Sequence, residues 1–413
     1  MTDARLRRGR FSLCVSFFAQ GVTFALLVTR IPAIQDRYGI PDGLLPVFLA
    51  AVPVLAGAGS VLTERVVARV RPALLLRCLQ PVVMLALLGV GAGGEMWQAA
   101  ACLGVFGLAV GGLDASMNML GVSLQRTYGR SIMLGFHAAY SLGGIVGASL
   151  AWAGAHWDLA LFVSYLPAVA VLLPAALIGS RWYADADPPA VVPDAGPGAP
   201  ADGGPAREGA SGVVFRALLP LCLVMAFAYI GDSTVSNWSA KYLKDTLGSS
   251  AELATVPYNA YMVTTLLGRA LGDLGVRRFG PVPVVRFGSL LAAAGFAVVA
   301  AATGAWSGIL GFTLLGFGLC LLVPQCFAAA GRMFPAASDA AVARLNIFNY
   351  VGFLIGAPLV GALGDAWNYR GAMLVPMVMV AATLFYARSF ARVPGGYGGG
   401  HDGKERPRTA DVG

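Results

Sequence analysis

Charge is scarce in this chain. Only 12% of its 413 residues are Asp, Glu, Lys or Arg, about half the share of ordinary soluble proteins. Set beside 57% hydrophobic residues and a mean hydropathy of +0.71, that shortage excludes a soluble globular domain and indicates an integral membrane protein. There are three histidines and six cysteines, Cys14, Cys78, Cys102, Cys222, Cys320 and Cys326. The cysteines are scattered with no CxxC pair, so they read as small apolar fillers, and neither a disulfide framework nor a metal site is expected. A GxxxxGK[ST] loop is missing, which excludes an ATP-driven pump. No spacing assembles a Ser–His–acid set. The GDS at 231–233 and the i, i+4 pair His137 and Ser141 lie off any strand-to-helix elbow, so neither enzymatic activity nor a cofactor is expected.

What the chain does contain is apolar segments of bilayer-spanning length, about 20 residues each. They fall near 11–31, 43–63, 73–93, 97–123, 132–154, 159–180, 214–240, 253–274, 282–303, 307–330, 341–364 and 370–391. The basic RLRRGR and the apolar run after it look like a signal peptide, but the run is longer than a signal core and many spans follow, so it is read as a retained first span. With the N-terminus in the cytoplasm, 24 of the 29 Lys and Arg fall on the cytoplasmic side, all but Arg30, Arg37, Lys241, Lys244 and Arg370. The positive-inside rule accepts this orientation and rejects its inverse. It also accounts for the formal charge of +8 without a nucleic-acid partner.

The domain organisation follows: a six-helix bundle over 1–183, a flexible cytoplasmic linker over 184–212, a second six-helix bundle over 213–393 and a disordered cytoplasmic tail over 394–413. The halves carry a trace of duplication. GSVLTERVVARVRPALLLR (59–77) aligns with GRALGDLGVRRFGPVPVVR (268–286) at an offset of 209. Gly59 meets Gly268, Glu64 meets Asp273, Arg69 meets Arg278 and Pro72 meets Pro281. Two parallel repeats suit an alternating-access transporter.

The second copy resembles the cytoplasmic loop signature of the major facilitator superfamily, carried here by Gly268, Asp273, Arg277 and Arg278. The first copy is degraded, with Glu64 in place of Asp and no loop glycine. The resemblance implies an all-α polytopic fold of twelve helices in two pseudo-symmetric bundles. It also implies a cytoplasmic lock made by Asp273, Arg269 and Arg278, with Glu64 and Arg69 as its counterpart. Ordinary positive-inside anchoring explains the arginines equally. Two stretches, GLDASMN in span four and FHAAYSLGGIVGA (136–148), are similar to the fucose-permease-related branch and its bacterial relatives. The Asn-Pro pair of that branch is absent, since Met119 follows Asn118.

An ionised carboxylate at the middle of an apolar run is costly, which makes Asp114 the residue to explain. It stands 11 residues from Gln125 at the end of span four, about 16 Å deep at about 1.5 Å per residue. A carboxyl group that is dry in one conformation and wet in the other exchanges its proton between them. Asp114 is therefore the principal proton-coupling candidate, with a permanently neutral structural acid as the alternative. Asn118 shares its face. In span seven Tyr229, Asp232, Ser233, Ser236 and Asn237 form one stripe at i, i+3, i+4, i+7, i+8. Asp232 is a second proton-coupling candidate. The resemblance sets spans one and seven side by side at the cavity mouth, which suggests an Arg30–Asp232 outer gate; otherwise Arg30 snorkels outward and pairs with Asp36.

Further polar side chains recur at helix-face spacing: Gln20 and Thr23 in span one, His137, Tyr140 and Ser141 in span five, Tyr258, Asn259, Tyr261 and Thr265 in span eight, Gln325 in span ten, and Asn346, Asn349 and Tyr350 in span eleven. Each alone reads as a helix–helix hydrogen bond. Together they describe a cavity that binds a polar solute, with His137 as a candidate relay or a packed neutral histidine. The functional expectation is a monomeric, proton-coupled secondary transporter of the bacterial cytoplasmic membrane, moving a small sugar-like or other polar metabolite. A proton-driven efflux pump for a drug or secondary metabolite is the alternative, although span five lacks the Gly-Pro of typical drug exporters. A non-transporting sensor is a minor one, since no soluble segment could fold as an output domain.

Overall fold

In the structure, a computed structural model, residues 3–41, 44–183, 213, 215–254 and 256–391 are described. The expected linker (184–212) and tail (394–413) lie outside them. Twelve helices traverse the described chain: α1 (Asp3–Thr29), α2 (Leu45–Val66), α3 (Pro72–Ala92), α4 (Met96–Tyr128), α5 (Met133–His156), α6 (Leu161–Gly179), α7 (Phe215–Lys241), α8 (Val256–Phe279), α9 (Pro281–Ala301), α10 (Ala305–Leu319 and Leu322–Met333), α11 (Ser338–Ala366) and α12 (Tyr369–Ala372 and Leu374–Tyr386). Ten helices among the described residues are long and apolar enough to cross a bilayer. No strand occurs among the described residues.

The spans run longer than hydropathy predicts, because hydropathy sees hydrocarbon whereas the helices continue through the interface. α1 begins at Asp3 rather than near residue 11, and α4 runs on to Tyr128 rather than 123. Spans ten and twelve, expected to be continuous, are each broken. Pro324 and Pro376 lie just past the breaks, and each lacks an N–H and crowds the carbonyl four residues back, at Cys320 and Ala372.

Within the first half α1 packs on α5, α2 on α4, and α3 on α4 and α6; in the second half α7 packs on α11, α8 on α10, and α9 on α10 and α12. Every partner is shifted by six helices, which is the pseudo-symmetry of two six-helix bundles. The contacts between halves, α2 with α11 and α5 with α8, exchange under the same shift.

The 209-residue repeat extends to the glycines that let these helices touch. A Cβ on Gly143 would stand 2.1 Å from the Phe18 carbonyl oxygen, and one on Gly352 would stand 2.4 Å from that of Ala226. Likewise Gly107 faces the Val52 carbonyl at 2.9 Å and Gly316 the Tyr261 carbonyl at 2.5 Å. Lipid tails are as apolar as leucine, so helix association here depends on such close approach. Gly143→Val and Gly352→Val are each expected to destabilise by on the order of 1–3 kcal/mol through overpacking, read as a lowered thermal midpoint in detergent. Gly144→Ala is the control, because a Cβ there meets nothing within 4 Å.

The two faces of the bundle differ. The face carrying the start of α1 and the start of α11 is called here the terminal face, and the opposite one the far face. Trp97, Trp152, Trp157, Trp306 and Trp367 are each 64–73% exposed and lie at helix ends on the far face. That is the aromatic belt of a membrane–water interface.

Candidate functional site

Asp114 sits in the middle of α4 and points into the protein. Its carboxylate accepts hydrogen bonds from Gln20 Nε2 of α1 and from the Tyr350 hydroxyl of α11. It therefore joins the two halves, and no basic side chain pairs with it among the described residues. It remains half-buried rather than sealed. On the opposite half Asp232 accepts from the Tyr261 hydroxyl at 2.5 Å. Tyr140 and Tyr229 lie in the electrostatic field of both carboxylates and of Arg269, so these groups gather around one locus between the halves. Tyr258, Ser236 and Asn237 are exposed on its far side.

Arg269 is expected at the cytoplasmic lock, but it lies one helical turn deeper than Asp273. Its Nη1 donates to Ser141 Oγ of α5 at 2.6 Å, and its Nε is buried without a partner among the described residues. Ser141 in turn donates to the His137 carbonyl at 3.1 Å. His137 Nε2 lies 3.2 Å from Asn118 Oδ1, and its ring is packed between Phe17 and Phe327. Asn118 also donates through Nδ2 to the Asp114 carbonyl at 2.9 Å.

Several candidate ligands are buried. Asn118 is buried, with its amide taken up by Asp114 and His137. Asn346 donates to Ser60 Oγ at 2.7 Å inside the α2–α11 contact and is fully buried. Gln325 is also fully buried, with neither amide atom partnered among the described residues. For Asn118 and Asn346 the reason is the same: equal helix-face spacing serves a helix contact as readily as a cavity wall. Asn349 is buried, and Asn259 is exposed near the far end of α8.

Arg30 and Asp232 are not paired in this conformation among the described residues. α1 ends at Thr29 and the chain turns into the short helix Ile31–Tyr38, so Arg30 occupies a corner within its own half. There its Nη2 donates to the Leu159 carbonyl at 3.1 Å, and it pairs with neither Asp232 nor Asp36 among the described residues.

The contacts that close the terminal face also differ from the expected lock. Glu64 is held by Arg344 of α11, through Nε at 3.0 Å and through Nη2. Asp273 accepts from Ser131 Oγ at 2.6 Å, from the Gly135 amide at 2.9 Å and from the Leu134 amide at 3.4 Å. Arg277 donates twice to the Ser131 carbonyl, at 3.0 and 2.6 Å. Arg69 and Arg278 are exposed, and Arg278 lies over the Phe279 ring. Each loop acid thus reaches the opposite half instead of its neighbouring arginines. Arg344 was invisible to motif reading, although the repeat contains its signal: Gly135 and Arg344 stand 209 apart, as Asp273 and Glu64 do. The inter-half hydrogen bonds of Arg126, Asp273, Arg269, Arg344, Asn346 and Tyr350 lie from the terminal face up to the level of Asp114 and Tyr350.

Comparison with known proteins fits this arrangement. A sequence profile of the Major Facilitator Superfamily matches residues 221–410. An uncharacterised MFS-type transporter of Yersinia pestis is 30% identical over 388 residues, covering 92% of this chain and 94% of that one. The crystal structure of the MFS transporter FucP in its outward conformation superposes with a TM-score of 0.76 at 18% identity, covering 93% of this chain and 99% of FucP. A variant of the Escherichia coli fucose:proton symporter FucP gives 0.72 at 17% identity, over 93% and 98% of the two chains.

Proposed function

The chain belongs to the major facilitator superfamily, and from that premise we propose that it carries a small polar organic solute across the membrane by alternating access, coupled to proton movement through Asp114. One observation supports this reading above the others. A half-buried acid in mid-helix bridges the two bundles through Gln20 and Tyr350, beside a locus shared with Asp232 and Arg269. Such an acid senses whether the bundles are together or apart. Intramembrane ionisable residues that face a bundle interior mark ion and substrate pathways.

The terminal face is taken as cytoplasmic, because 24 of the 29 Lys and Arg then lie inside. The hydrogen bonds and the ion pair that join the halves on that face support reading the conformation as outward-facing. Its far side offers hydroxyls and amides from Tyr140, Tyr229, Tyr258, Ser236 and Asn237 to a hydroxylated solute. The fold neighbour FucP, a fucose:proton symporter, is consistent with a sugar-like substrate.

The test is uptake by reconstituted proteoliposomes under an imposed pH gradient, screening hexoses, pentoses and cyclitols beside cationic drugs. A hydroxylated metabolite is expected to accumulate together with protons. Proton flux evoked only by the drugs would overturn the substrate class in favour of efflux.

A further inference from the structure

We infer that a basic groove on the terminal face, separate from the central locus, binds a phosphate-bearing anion. The anion is either the headgroup of an acidic phospholipid or free phosphate. The groove holds about 500 Å³ and is lined by Arg7, Arg10, Phe11, Cys14, Tyr128 and Arg130. It is built from the first turns of α1 and the α4–α5 turn. Tyr128 ends α4, and Gly129, with φ of 68°, reverses the chain so that Arg130 swings back beside it.

Three observations point to an anion. First, the guanidiniums of Arg10 and Arg130 both stand against the Tyr128 ring, 6.0 and 5.6 Å from its centroid, which gathers two like charges at one aromatic ring. Second, none of Arg7, Arg10 and Arg130 has an acidic partner among the described residues. Arg10 and Asp273 both approach the position a Cβ would take on Gly135, at 3.6 and 3.5 Å, without forming an ion pair. The Asp273 oxygens are already occupied by Ser131, Leu134 and Gly135. Third, the inner wall is apolar: Phe11 is 70% exposed, and Cys14 lies one turn further into the membrane. A cationic rim above an apolar wall at headgroup depth matches a phosphodiester with its acyl chain beneath. Topological anchoring asks only that arginines be present on this side. It does not gather them around a tyrosine.

The experiment uses the full chain purified in detergent, with native mass spectrometry counting adducts of dioleoylphosphatidylglycerol and dioleoylphosphatidylcholine, with and without added inorganic phosphate. Two double variants remove equal charge: Arg10→Gln with Arg130→Gln inside the groove, and Arg5→Gln with Arg8→Gln from the same segment outside its lining. Phosphatidylglycerol retention is expected to fall about tenfold in the first and to hold in the second. Displacement by inorganic phosphate assigns the site to the free anion, and resistance to it assigns the site to the lipid. Equal loss in both double variants, or equal retention of phosphatidylcholine, overturns the proposal.

Discussion

Asp114→Asn is expected to abolish proton-driven accumulation while leaving solute exchange intact. Asp114 is held by one donor from each half, Gln20 and Tyr350. When the bundles part on the terminal face, α11 leaves α4 and the Tyr350 hydroxyl goes with it. A carboxylate stripped of a donor in low-dielectric surroundings is costly, and taking up a proton offsets that cost. Opening and protonation are then linked by one hydrogen bond. Asparagine keeps a carbonyl oxygen for Tyr350 and nearly the same volume, so the closed state survives, but it has no proton to trade. In reconstituted liposomes the variant should equilibrate labelled solute in counterflow and fail to concentrate it against a pH gradient. Tyr350→Phe, which retains the acid but removes that linking hydrogen bond, should weaken accumulation without abolishing it. Undiminished accumulation in Asp114→Asn would leave this acid a purely structural group.

The second large effect concerns the terminal latch. Glu64→Gln combined with Asp273→Asn removes the charge from both symmetry-related acids. The Glu64–Arg344 side chains are 17% and 22% exposed, so the pair is partly wet and falls below the 3–5 kcal/mol measured for breaking fully buried pairs; about 1–3 kcal/mol per site is the working figure. Each ~1.4 kcal/mol lost raises the open-to-closed ratio about tenfold. Spin labels at Arg69→Cys and Arg278→Cys, exposed positions 209 apart on opposite halves, would report this as a longer distance population. The background must lack accessible native cysteine. An unchanged distance distribution would mean that the latch does not hold this face shut.

Hydropathy was enough to place twelve spans, because lipid imposes a single crude rule on every helix, and the repeat needed the alignment of 59–77 with 268–286. The site was legible only in part. Asp114 and Asp232 stood out because ionised groups in apolar runs are rare. Gln20, Tyr350 and Tyr261 were legible as cavity candidates but not as partners of these carboxylates, a pairing that only the tertiary structure makes. Asn118 and Asn346 were indistinguishable in sequence from cavity residues, yet helix neighbours take up the amide of Asn118 and the Nδ2 of Asn346. The lock arginines misled for a different reason. A loop motif shows which residues are adjacent in the chain, whereas closure depends on the facing half, and Arg344 is 280 positions from Glu64.

The five exposed tryptophans on the far face carry an optical consequence. The locus around Asp114 is furnished with tyrosines, and among its named residues there is no indole. Five of the seven tryptophans stand at the level of the lipid headgroups. Intrinsic emission from this protein is therefore governed by the polarity of the bilayer surface and by how deeply the bundle is seated in it. Solute occupancy will need an indole introduced beside Tyr140 or Tyr229 to become visible.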